Sequence, residues 1–292
     1  MSILGIDIGG TFIKYCGKAG QDIKKGKVPT EKNIDSVLYQ IEELIKNFHP
    51  KAIGIGVAGL INKETGRLED SPNLKFLEGI NLKSLIEDRL KIPVIVENDA
   101  SAAAFGEYKY GAAKNGRIVV CLTLGTGLGG GLVIDGKLID GVSGTAMEIG
   151  HTTIDINGWE CHCGRKGCLE AYVSSYGLER FYFFHTDKKL DSSEIILLAN
   201  EGNTAAMKAL EEFSEYLAIG LMNILHIFNP DFIVIGGGIP ENYPAVIDMA
   251  VANLKKITFP LPFTSCQIKK AELGEYSGAF GALALAEERY GS

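Results

Sequence analysis

The sequence lacks the features that mark a chain for nucleic acid or for membrane. It has no surplus of positive charge, because its net charge is −7 and its pI is near 5.4. Such a chain offers no field to hold a phosphate backbone, so we expect no nucleic-acid partner. It also has no long apolar run: the longest, residues 216–228, contains Asn223 and His226 and is too short to span a bilayer. We therefore expect no membrane partner.

Other absences narrow the class further. The first residues, MSILGIDIGG, contain neither the basic region nor the cleavage site of a secretory leader, so we expect a cytoplasmic protein. With 46% hydrophobic and 22% charged residues, the composition is globular and excludes intrinsic disorder, collagen and coiled coil. The 292 residues suffice for one large domain or two ordinary ones. Glycine, in contrast, is abundant: it accounts for 36 residues, a composition that predicts many tight turns or close backbone approaches.

Strand-like and helical patterns alternate along the chain, which predicts an α/β fold. The run Ile3–Ile8, a glycine turn and the run Phe12–Cys16 predict a hairpin. Further strands are predicted at 52–57, 94–96 and 232–235, and helices at 34–48, 82–90, 100–108, 204–228 and 277–289. The order of strand, glycine turn and strand recurs from Ile118. This recurrence indicates a duplicated fold with two lobes and a cleft between them.

The duplication predicts two domains with a boundary near Arg117. We expect an N-terminal α/β domain over residues 1–117 and a C-terminal one over residues 118–276. The final helix, in 277–292, is expected to pack back on the first domain. A polar, cysteine-rich insertion is expected in the second domain, over residues 151–170.

Three glycine clusters follow predicted strands. The first is Asp7-Ile8-Gly9-Gly10-Thr11, whose glycines would let backbone N–H groups approach an anion and whose Asp7 could hold Mg²⁺. The second, Gly125-Thr126-Gly127, is its equivalent in the second copy, and the pair predicts a clamp for a polyphosphate. The third, Gly236-Gly237-Gly238, would let an adenine or a ribose lie against backbone. Taken singly, each cluster is also explained by an ordinary turn, and none fits the P-loop or dinucleotide patterns.

The tripeptide Glu97-Asn98-Asp99 ends a predicted strand and precedes a helix. Its side chains are therefore expected at the carboxyl edge of a sheet, where α/β proteins bind ligands. Asp99 has two interpretations. It caps the helix from Ala100, or it is the carboxylate that accepts a proton from a substrate hydroxyl.

Four residues have the composition of a closed structural zinc site. They are His151, Cys161, Cys163 and Cys168, three thiols and one imidazole, with His162 expected to point away. Three reduced thiols without metal are the alternative. The remaining cysteines, Cys16, Cys121 and Cys266, lie alone in apolar or strand-like surroundings, which is not the pattern of a secreted disulfide framework. Glu148 and Glu170 flank this cluster. If a metal ion holds the loop in place, both glutamates are suited to hydrogen bonds with sugar hydroxyls. Without a metal ion, the better interpretation is that they are solvated surface residues.

Together these motifs resemble the ROK family of repressors, open reading frames and kinases, within the actin-like sugar kinases. The matching pieces are Asp7-Ile-Gly-Gly-Thr, Glu97-Asn-Asp-Ala, Leu124-Gly-Thr-Gly-Leu-Gly-Gly-Gly, Glu148-Ile-Gly-His and Cys161-x-Cys-Gly-x-x-Gly-Cys-Leu-Glu170. The resemblance covers nearly the whole chain. It implies two actin-like (ribonuclease H-like) domains with an interdomain cleft. It also implies ATP and Mg²⁺ in that cleft, structural Zn²⁺, and transfer of the γ-phosphoryl group to a hexose, usually at its 6-hydroxyl.

The resemblance also implies a role for each matching residue. Asp99 would be the general base. Asn98, Asp99, Glu148, His151 and Glu170 would contact the sugar, with His151 also on zinc beside Cys161, Cys163 and Cys168. Phosphates would lie against Gly9, Gly10, Thr11, Gly125, Thr126 and Gly127, with Asp7 near Mg²⁺ and Gly237 and Gly238 by the adenosine. The expected partners are a small-molecule sugar, ATP and a second copy in a homodimer.

Two departures from the family pattern bear on function. Many family glucokinases have Gly-Gly-Glu before Ile-Gly-His, whereas here Thr145-Ala146-Met147 precede Glu148, which affects the shape of the sugar pocket. The sequence also begins at the first strand, so we expect no helix-turn-helix of the repressor branch. Glucose is the first choice of substrate, with N-acetylmannosamine, a β-glucoside, allose and fructose as alternatives. A non-catalytic sugar sensor is the rival class, and a zinc hydrolase is disfavoured because four protein ligands leave no position for water.

Overall fold

The computed structural model describes residues 2–19, 22–62, 64–71 and 73–291. Its strands are β1 (Ile3–Ile8), β2 (Phe12–Ala19), β3 (Asp22–Pro29), β4 (Ala52–Val57), β5 (Leu60–Ile61), β6 (Leu68–Asp70), β7 (Val94–Asn98), β8 (Ile118–Leu124), β9 (Leu128–Ile134), β10 (Lys137–Leu138), β11 (Phe232–Gly236) and β12 (Gln267–Lys270). Its α-helices are α1 (Ile34–Phe48), α2 (Leu82–Leu90), α3 (Asp99–Lys109), α4 (Ser175–Thr186), α5 (Ser192–Asn200), α6 (Thr204–Phe228), α7 (Gly238–Asn242), α8 (Ala245–Ile257), α9 (Pro260–Ser265) and α10 (Ser277–Tyr290).

Two five-stranded sheets have the same strand order. The first is β3-β2-β1-β4-β7, in which β1 pairs antiparallel with β2 and parallel with β4, and β4 pairs parallel with β7. The second is β10-β9-β8-β11-β12, with β11 parallel to both β8 and β12. The interior strand β4, which lies between β1 and β7, is buried at every position, as expected for a strand covered on both faces. Helices interspersed with these strands make the fold α/β.

The chain forms two compact units whose limits differ from the predicted domains. The first comprises Met1–Asn115, Gly131–Ala146 and Glu275–Ser292, and the second Gly116–Gly130 and Met147–Gly274. The sequence placed all of 118–276 in one domain, whereas 131–146 lies in the first unit. The local reason is the close approach of Gly131 to α3: a Cβ there would lie 2.5 Å from the Cβ of Ala104. Met1 and Ser292, the outer ends of the predicted first domain and final helix, lie outside the described residues.

In the first unit, α10 packs directly on β1, β4 and α3. Its buried face includes Ala279, Leu283 and Ala286, which join a core cluster with Ile3 and Cys16. Two glycines allow backbones to touch: a Cβ on Gly54 of β4 would lie 1.8 Å from the carbonyl oxygen of Ala282. A Cβ on Gly281 would lie 1.6 Å from the carbonyl oxygen of Ala102. The small residues on α10 and on the elements it packs against therefore set a short distance between α10 and the sheet.

The core of the second unit is built around α6, which has 25 residues and packs against α4 and α8. Asn203 caps it by accepting a hydrogen bond from the N–H of Ala206, and a buried apolar stripe that includes Phe213, Leu217 and Leu221 faces the core. None of the described helices is both long enough and apolar enough to cross a bilayer.

Candidate functional site

Asp7 and Asp99 lie at the same edge of the first sheet. Asp7 is near the end of β1, and Asp99 is the first residue of α3, directly after β7. The strands β1, β4 and β7 are parallel neighbours, and Gly56 of β4 is the register partner of Asp7. A Cβ on Gly56 would lie 3.6 Å from the Cα of Asp99. Gly56, which has no side chain, is therefore next to both acids. The topology therefore brings together carboxylates 92 positions apart in sequence.

The two acids share one electrostatic environment. Each keeps some exposed surface, yet dense packing of protein atoms desolvates both carboxyls. This burial raises the pKa of Asp7, the charge of Asp99 adds to the shift and Lys14 opposes it, and together they place the pKa at about 7. Burial also raises the pKa of Asp99, against hydrogen bonds from backbone N–H groups at the start of α3 and against Lys14. A carboxyl whose pKa is raised is suited to exchanging a proton near neutral pH.

Lys14 is a site residue that sequence reasoning missed. It is the cross-strand partner of Asp7 in the β1–β2 pair, so both side chains leave the same face of the sheet. Its positive charge lowers the pKa of Asp7 and of Asp99. The signal was the symmetric spacing of Asp7 and Lys14 about the glycine turn, which becomes informative only once the register is known.

The helix cap expected at Asp99 is provided by Asn98 instead. The Oδ1 of Asn98 accepts hydrogen bonds from the N–H groups of Ala100 and Ser101, at 3.0 Å each. Its Nδ2 donates to the carbonyl oxygen of Gly59 at 3.0 Å. Asp99 also accepts from the N–H of Ala100, at 2.9 Å, but it is the first residue of the helix and not its cap. Asn98 keeps a second Nδ2 hydrogen that this set of bonds does not use.

The first glycine turn is held by hydrogen bonds on its own backbone. The N–H of Gly9 donates to the carbonyl oxygen of Phe12 at 3.1 Å, so this group is engaged within the turn. The carbonyl oxygens of Gly9 and Thr11 accept from Thr30, through its hydroxyl at 2.7 Å and its N–H at 2.9 Å respectively. Lys32 donates its ammonium to the carbonyl of Gly10. Of the phosphate contacts predicted here, the one through the N–H of Gly9 requires that its bond to Phe12 be replaced.

The other two glycine clusters lie side by side in the second unit. They follow β8 and β11, which are parallel, and Gly236 is the register partner of Thr123. Gly237 has φ +101, and a Cβ on it would lie 2.3 Å from the carbonyl oxygen of Leu124. Among the described residues, and apart from chain neighbours and the backbone of the helix that begins at Gly238, no heavy atom lies within 4 Å of the Cβ positions of Gly125 and Gly238. Two adjacent loops with open space beside them are suited to an extended ligand such as a nucleotide.

The four predicted metal ligands come together. One ligand atom from each of His151, Cys161, Cys163 and Cys168 lies within 4.8 Å of every other. The Sγ of Cys161 is 3.7 Å from the Nδ1 of His151, and the sulfurs of Cys163 and Cys168 are 3.6 Å apart. A tetrahedron with metal–sulfur bonds of about 2.3 Å has edges of about 3.8 Å. The donor set and its spacing therefore fit one tetrahedral metal ion of the zinc type.

Local backbone and charge explain the cluster. Gly164 (φ +82) and Gly167 (φ +70) adopt left-handed conformations, which turn the chain so that its thiols converge. Burial raises the pKa of Cys161, and it raises that of Cys168 to about 12. At Cys163 burial acts in the same sense, but hydrogen bonds from the Arg165 side chain and backbone outweigh it and lower the pKa to about 6. His162 is not part of this group, as expected.

Glu148 lies in a tight turn directly before His151. The N–H of Ile149 donates to the carbonyl oxygen of Met147 at 2.7 Å, which closes a γ-turn centred on Glu148 (φ −68, ψ 51). The N–H of His151 then donates to the carbonyl oxygen of Glu148 at 3.0 Å. Met147 has φ +68, a conformation that costs a side chain of its size free energy. The turn fixes the exposed Glu148 relative to His151, one of the four predicted metal ligands.

Glu170 is half-buried and hydrogen-bonded through both carboxylate oxygens. Its Oε2 accepts from the N–H of Leu128 at 3.0 Å, and its Oε1 accepts from the hydroxyl of Tyr176 at 3.3 Å. A Cβ on Gly127 would lie 2.6 Å from Oε2. Glu170 is therefore not a solvated surface residue. It links the second glycine turn to the cysteine loop.

Tyr176 is a second residue that sequence reasoning missed. It lies in the first turn of α4, and its hydroxyl is 3.5 Å from the Sγ of Cys161 as well as 3.3 Å from Glu170. Burial raises its pKa, and the neighbouring thiol and carboxylate add to the shift. The hydroxyl therefore keeps its proton at neutral pH. The sequence held one signal, an aromatic hydroxyl six positions after Glu170, which no motif singled out.

The duplicated α/β sheets, the paired acids and the Cys-His cluster define the class of protein. The family model described as ROK family matches residues 3–289, and the chain belongs to the ROK family. The α/β, actin-like fold class expected from the sequence is confirmed by the solved structures that the chain resembles.

Among individual proteins, the chain is 33% identical to a glucokinase of Streptomyces coelicolor, over 98% of this chain and 97% of that protein. It is 36% identical to a xylose repressor of Bacillus subtilis, over 82% of this chain and 61% of the repressor. A solved structure of a ROK family glucokinase from Streptomyces griseus, in complex with glucose and AMPPNP, superposes with a TM-score of 0.86 at 30% identity. That match covers 99% of this chain and all of the other. The family thus includes sugar kinases and repressors.

Proposed function

We propose that the protein is an ATP-dependent hexose kinase that transfers the γ-phosphoryl group of ATP to the 6-hydroxyl of a hexose, with glucose as the first choice. One observation carries the proposal: the first unit holds the acid Asp99 at the carboxyl edge of its sheet, with its pKa raised by burial and with Asp7 and Lys14 beside it. A protein that only senses sugar has no need of a base tuned in this way. The likeness to a glucokinase that binds glucose supports the choice of substrate.

Asp99 is the general base in this proposal. Its carboxylate takes the proton of the sugar 6-hydroxyl while that oxygen bonds to the γ-phosphorus. The bond from the γ-phosphorus to the bridging oxygen breaks, and ADP leaves with the electron pair. The N–H donors at the start of α3 and the charge of Lys14 hold the carboxylate available for this step. The sugar would be oriented by Asn98, Glu148, His151 and Glu170.

The phosphates and nucleotide would bind along the glycine clusters. In the first unit these are Gly9, Gly10 and Thr11, and in the second Gly125, Thr126 and Gly127, with Gly237 and Gly238 near the adenosine. The open space at Gly125 and Gly238 supports this placement. Asp7 is an oxygen donor of the kind that Mg²⁺ prefers, and Mg²⁺ would supply positive charge to the phosphate oxygens.

Zn²⁺ would be held by His151, Cys161, Cys163 and Cys168, all four positions filled by protein. It would then be structural and keep Glu148, His151 and Glu170 in place. A homodimer completes the proposal, together with a two-domain division near residue 117 in which residues 131–146 and the last helix join the first domain.

A panel of sugars tests the function directly. Purified protein with ATP and Mg²⁺ is incubated with glucose, N-acetylmannosamine, a β-glucoside, allose and fructose, and ADP release is followed together with the phosphorylated product by ³¹P NMR. We expect a sugar 6-phosphate, formed fastest from glucose. A different preferred sugar would correct the substrate. ADP formation that no sugar accelerates would refute the kinase.

A non-catalytic sugar sensor is the second candidate, favoured by the 36% identity to a xylose repressor. The same panel separates the two, because a sensor binds a sugar in calorimetry but transfers no phosphoryl group to it.

A further inference from the structure

The carboxylate of Glu170 is held from two sides. The N–H of Leu128, at the start of β9, donates to Oε2 at 3.0 Å, and the hydroxyl of Tyr176, from α4, reaches Oε1 at 3.3 Å. With hydrogen-bond donors on both of its oxygens, the carboxylate has a fixed plane. The lone pairs that remain then have a defined direction, which a sugar hydroxyl requires for a hydrogen bond of good geometry.

Metal binding creates a problem of charge next to this carboxylate. The Sγ of Cys161 lies 3.5 Å from the Oε1 of Glu170, a contact in which a neutral thiol donates its proton. A cysteine that ligates a metal does so as a thiolate and has no proton to donate. Two anionic atoms would then face each other at this distance. The hydroxyl of Tyr176 lies 3.5 Å from Sγ and 3.3 Å from Oε1, and its single proton can be donated to Oε1, which then keeps a hydrogen-bond donor without the thiol.

The ring of Tyr176 is held in place independently of its hydroxyl. The imidazole of His162 stacks on it, with ring centroids 4.0 Å apart and planes 25° from parallel. Arg180 belongs to the same helix, α4, and its guanidinium lies 5.1 Å from the centroid of the Tyr176 ring. The guanidinium also donates a hydrogen bond to the carbonyl oxygen of Glu160 at 2.8 Å. The hydroxyl is thus preorganised, so its hydrogen bond needs little further ordering of the side chain. Removing the hydroxyl alone leaves these ring contacts intact.

We propose that Tyr176 is a positioning residue whose hydroxyl donates to the Glu170 carboxylate and orients it for the sugar, beside the sulfur of the predicted metal ligand Cys161. The inference rests on the proposed function, in which Glu170 contacts sugar hydroxyls. It assigns Tyr176 no contact with the substrate. Its effect is therefore on sugar affinity and not on the nucleotide.

Tyr176→Phe, which keeps the ring and removes the hydroxyl, tests the inference. We expect the KM for the preferred hexose to rise about tenfold, the size of the loss when a hydrogen bond to a charged group is removed. The KM for ATP, the zinc content per chain and the melting temperature should stay at wild-type values. Tyr216→Phe is the matched control, since Tyr216 is stacked on Tyr172 in the same unit, and its KM values should not change.

A double-mutant cycle with Glu170→Gln separates positioning from a general structural role. If Tyr176 acts through Glu170, adding Tyr176→Phe to Glu170→Gln raises the sugar KM by much less than tenfold. Independent, multiplicative effects would overturn the proposal. So would a Tyr176→Phe protein with lost zinc or a lowered melting temperature and an unchanged sugar KM, because Tyr176 would then be only structural.

Failure of this inference can be told from failure of the proposed function. If the wild-type protein phosphorylates a hexose and Tyr176→Phe matches it in sugar KM, only the role of Tyr176 is wrong. If the wild-type protein binds a sugar without phosphorylating it, the kinase is wrong and Tyr176 is judged by the calorimetric Kd, which should again rise about tenfold in Tyr176→Phe. A wild-type protein that neither phosphorylates nor binds any sugar of the panel would refute both.

Discussion

The two glycine turns, Asp7–Thr11 in the first unit and Gly125–Leu128 in the second, follow equivalent strands of sheets with the same order. They differ in where their carboxylates come from. The first turn has Asp7 on its own strand and Asp99 from the same sheet edge, both with raised pKa. The second has no acid on its strand, and Glu170 from the cysteine loop binds its backbone at Leu128. In the proposed function these two arrangements would serve different tasks: proton transfer by the acids of the first unit, and sugar binding beside the predicted metal cluster of the second.

The sharpest test of this division is Asp99→Asn. If the first turn carries the acid chemistry, this nearly isosteric change should lower kcat by about 10²–10⁴-fold, the usual contribution of a general base. The variant should still bind ATP and hexose in calorimetry and keep its melting temperature. Activity within a few-fold of wild type would show that Asp99 is not the general base.

The anchoring role of the second unit predicts a large effect of Cys168→Ser. Cys168 is buried, and its sulfur belongs to the four-ligand cluster. We expect loss of bound zinc, measured by atomic emission, and a rise of about 10–100-fold in the KM for hexose, since residues that support a metal site have effects of this size. Cys266→Ser is the control, because this cysteine lies outside the cluster, and it should keep both zinc and KM. Full activity of a zinc-free Cys168→Ser protein would show that hexose binding does not depend on the metal.

Within the second turn, two glycines that lie close together should respond differently to alanine. In Gly127→Ala the new Cβ would lie 2.6 Å from the Oε2 of Glu170, so the carboxylate must move and the KM for hexose should rise about tenfold. In Gly125→Ala the new Cβ meets, beyond its chain neighbours, no atom of the described part of the chain within 4 Å. It should leave the melting temperature unchanged and raise only the KM for ATP, whose phosphates would occupy that space. Steady-state kinetics with each substrate varied would distinguish the two, and the reverse pattern would contradict the assignment.

The last expected effect is on the pH dependence of stability. The pKa of Asp7 is raised from 3.8 to about 7, so between these values the folded state binds more protons than the unfolded one. Its contribution to stability is therefore full below about pH 4 and is lost as the pH rises through about 7. In the absence of Mg²⁺, the melting temperature of the wild-type protein should fall over this range relative to that of Asp7→Asn. Parallel melting curves for the two proteins would show that Asp7 is not held in this way.

The parts of the fold that follow local patterns could be predicted from the sequence. The helix at 34–48 and the strand at 52–57 have the observed bounds, because an amphipathic repeat ended by Pro50 and a continuous apolar run are local signals. The strand β3 was missed. Its residues are lysine-rich and mostly exposed at a sheet edge, where burial imposes no apolar alternation.

The site divides in the same way. The cysteines and histidine lie within a short stretch, so their spacing alone predicted a cluster, and the structure brings them together. Lys14 and Tyr176 could not be found in this manner. Lys14 lies opposite Asp7 only because of the strand register. Tyr176 contacts the carboxylate of Glu170, whose position depends on a hydrogen bond from Leu128, 42 positions earlier in the chain. Such contacts depend on tertiary packing that no local motif records.

The packing of α10 also has a consequence for synthesis on the ribosome. Ile3 and Cys16 bury their side chains against Ala279, Leu283 and Ala286, which are translated long after them. A nascent chain that has emerged only as far as α3 would expose this apolar face and could not complete its first folding unit. Its maturation would wait until α10 leaves the exit tunnel, and during that interval the unfinished face is a natural surface for a chaperone.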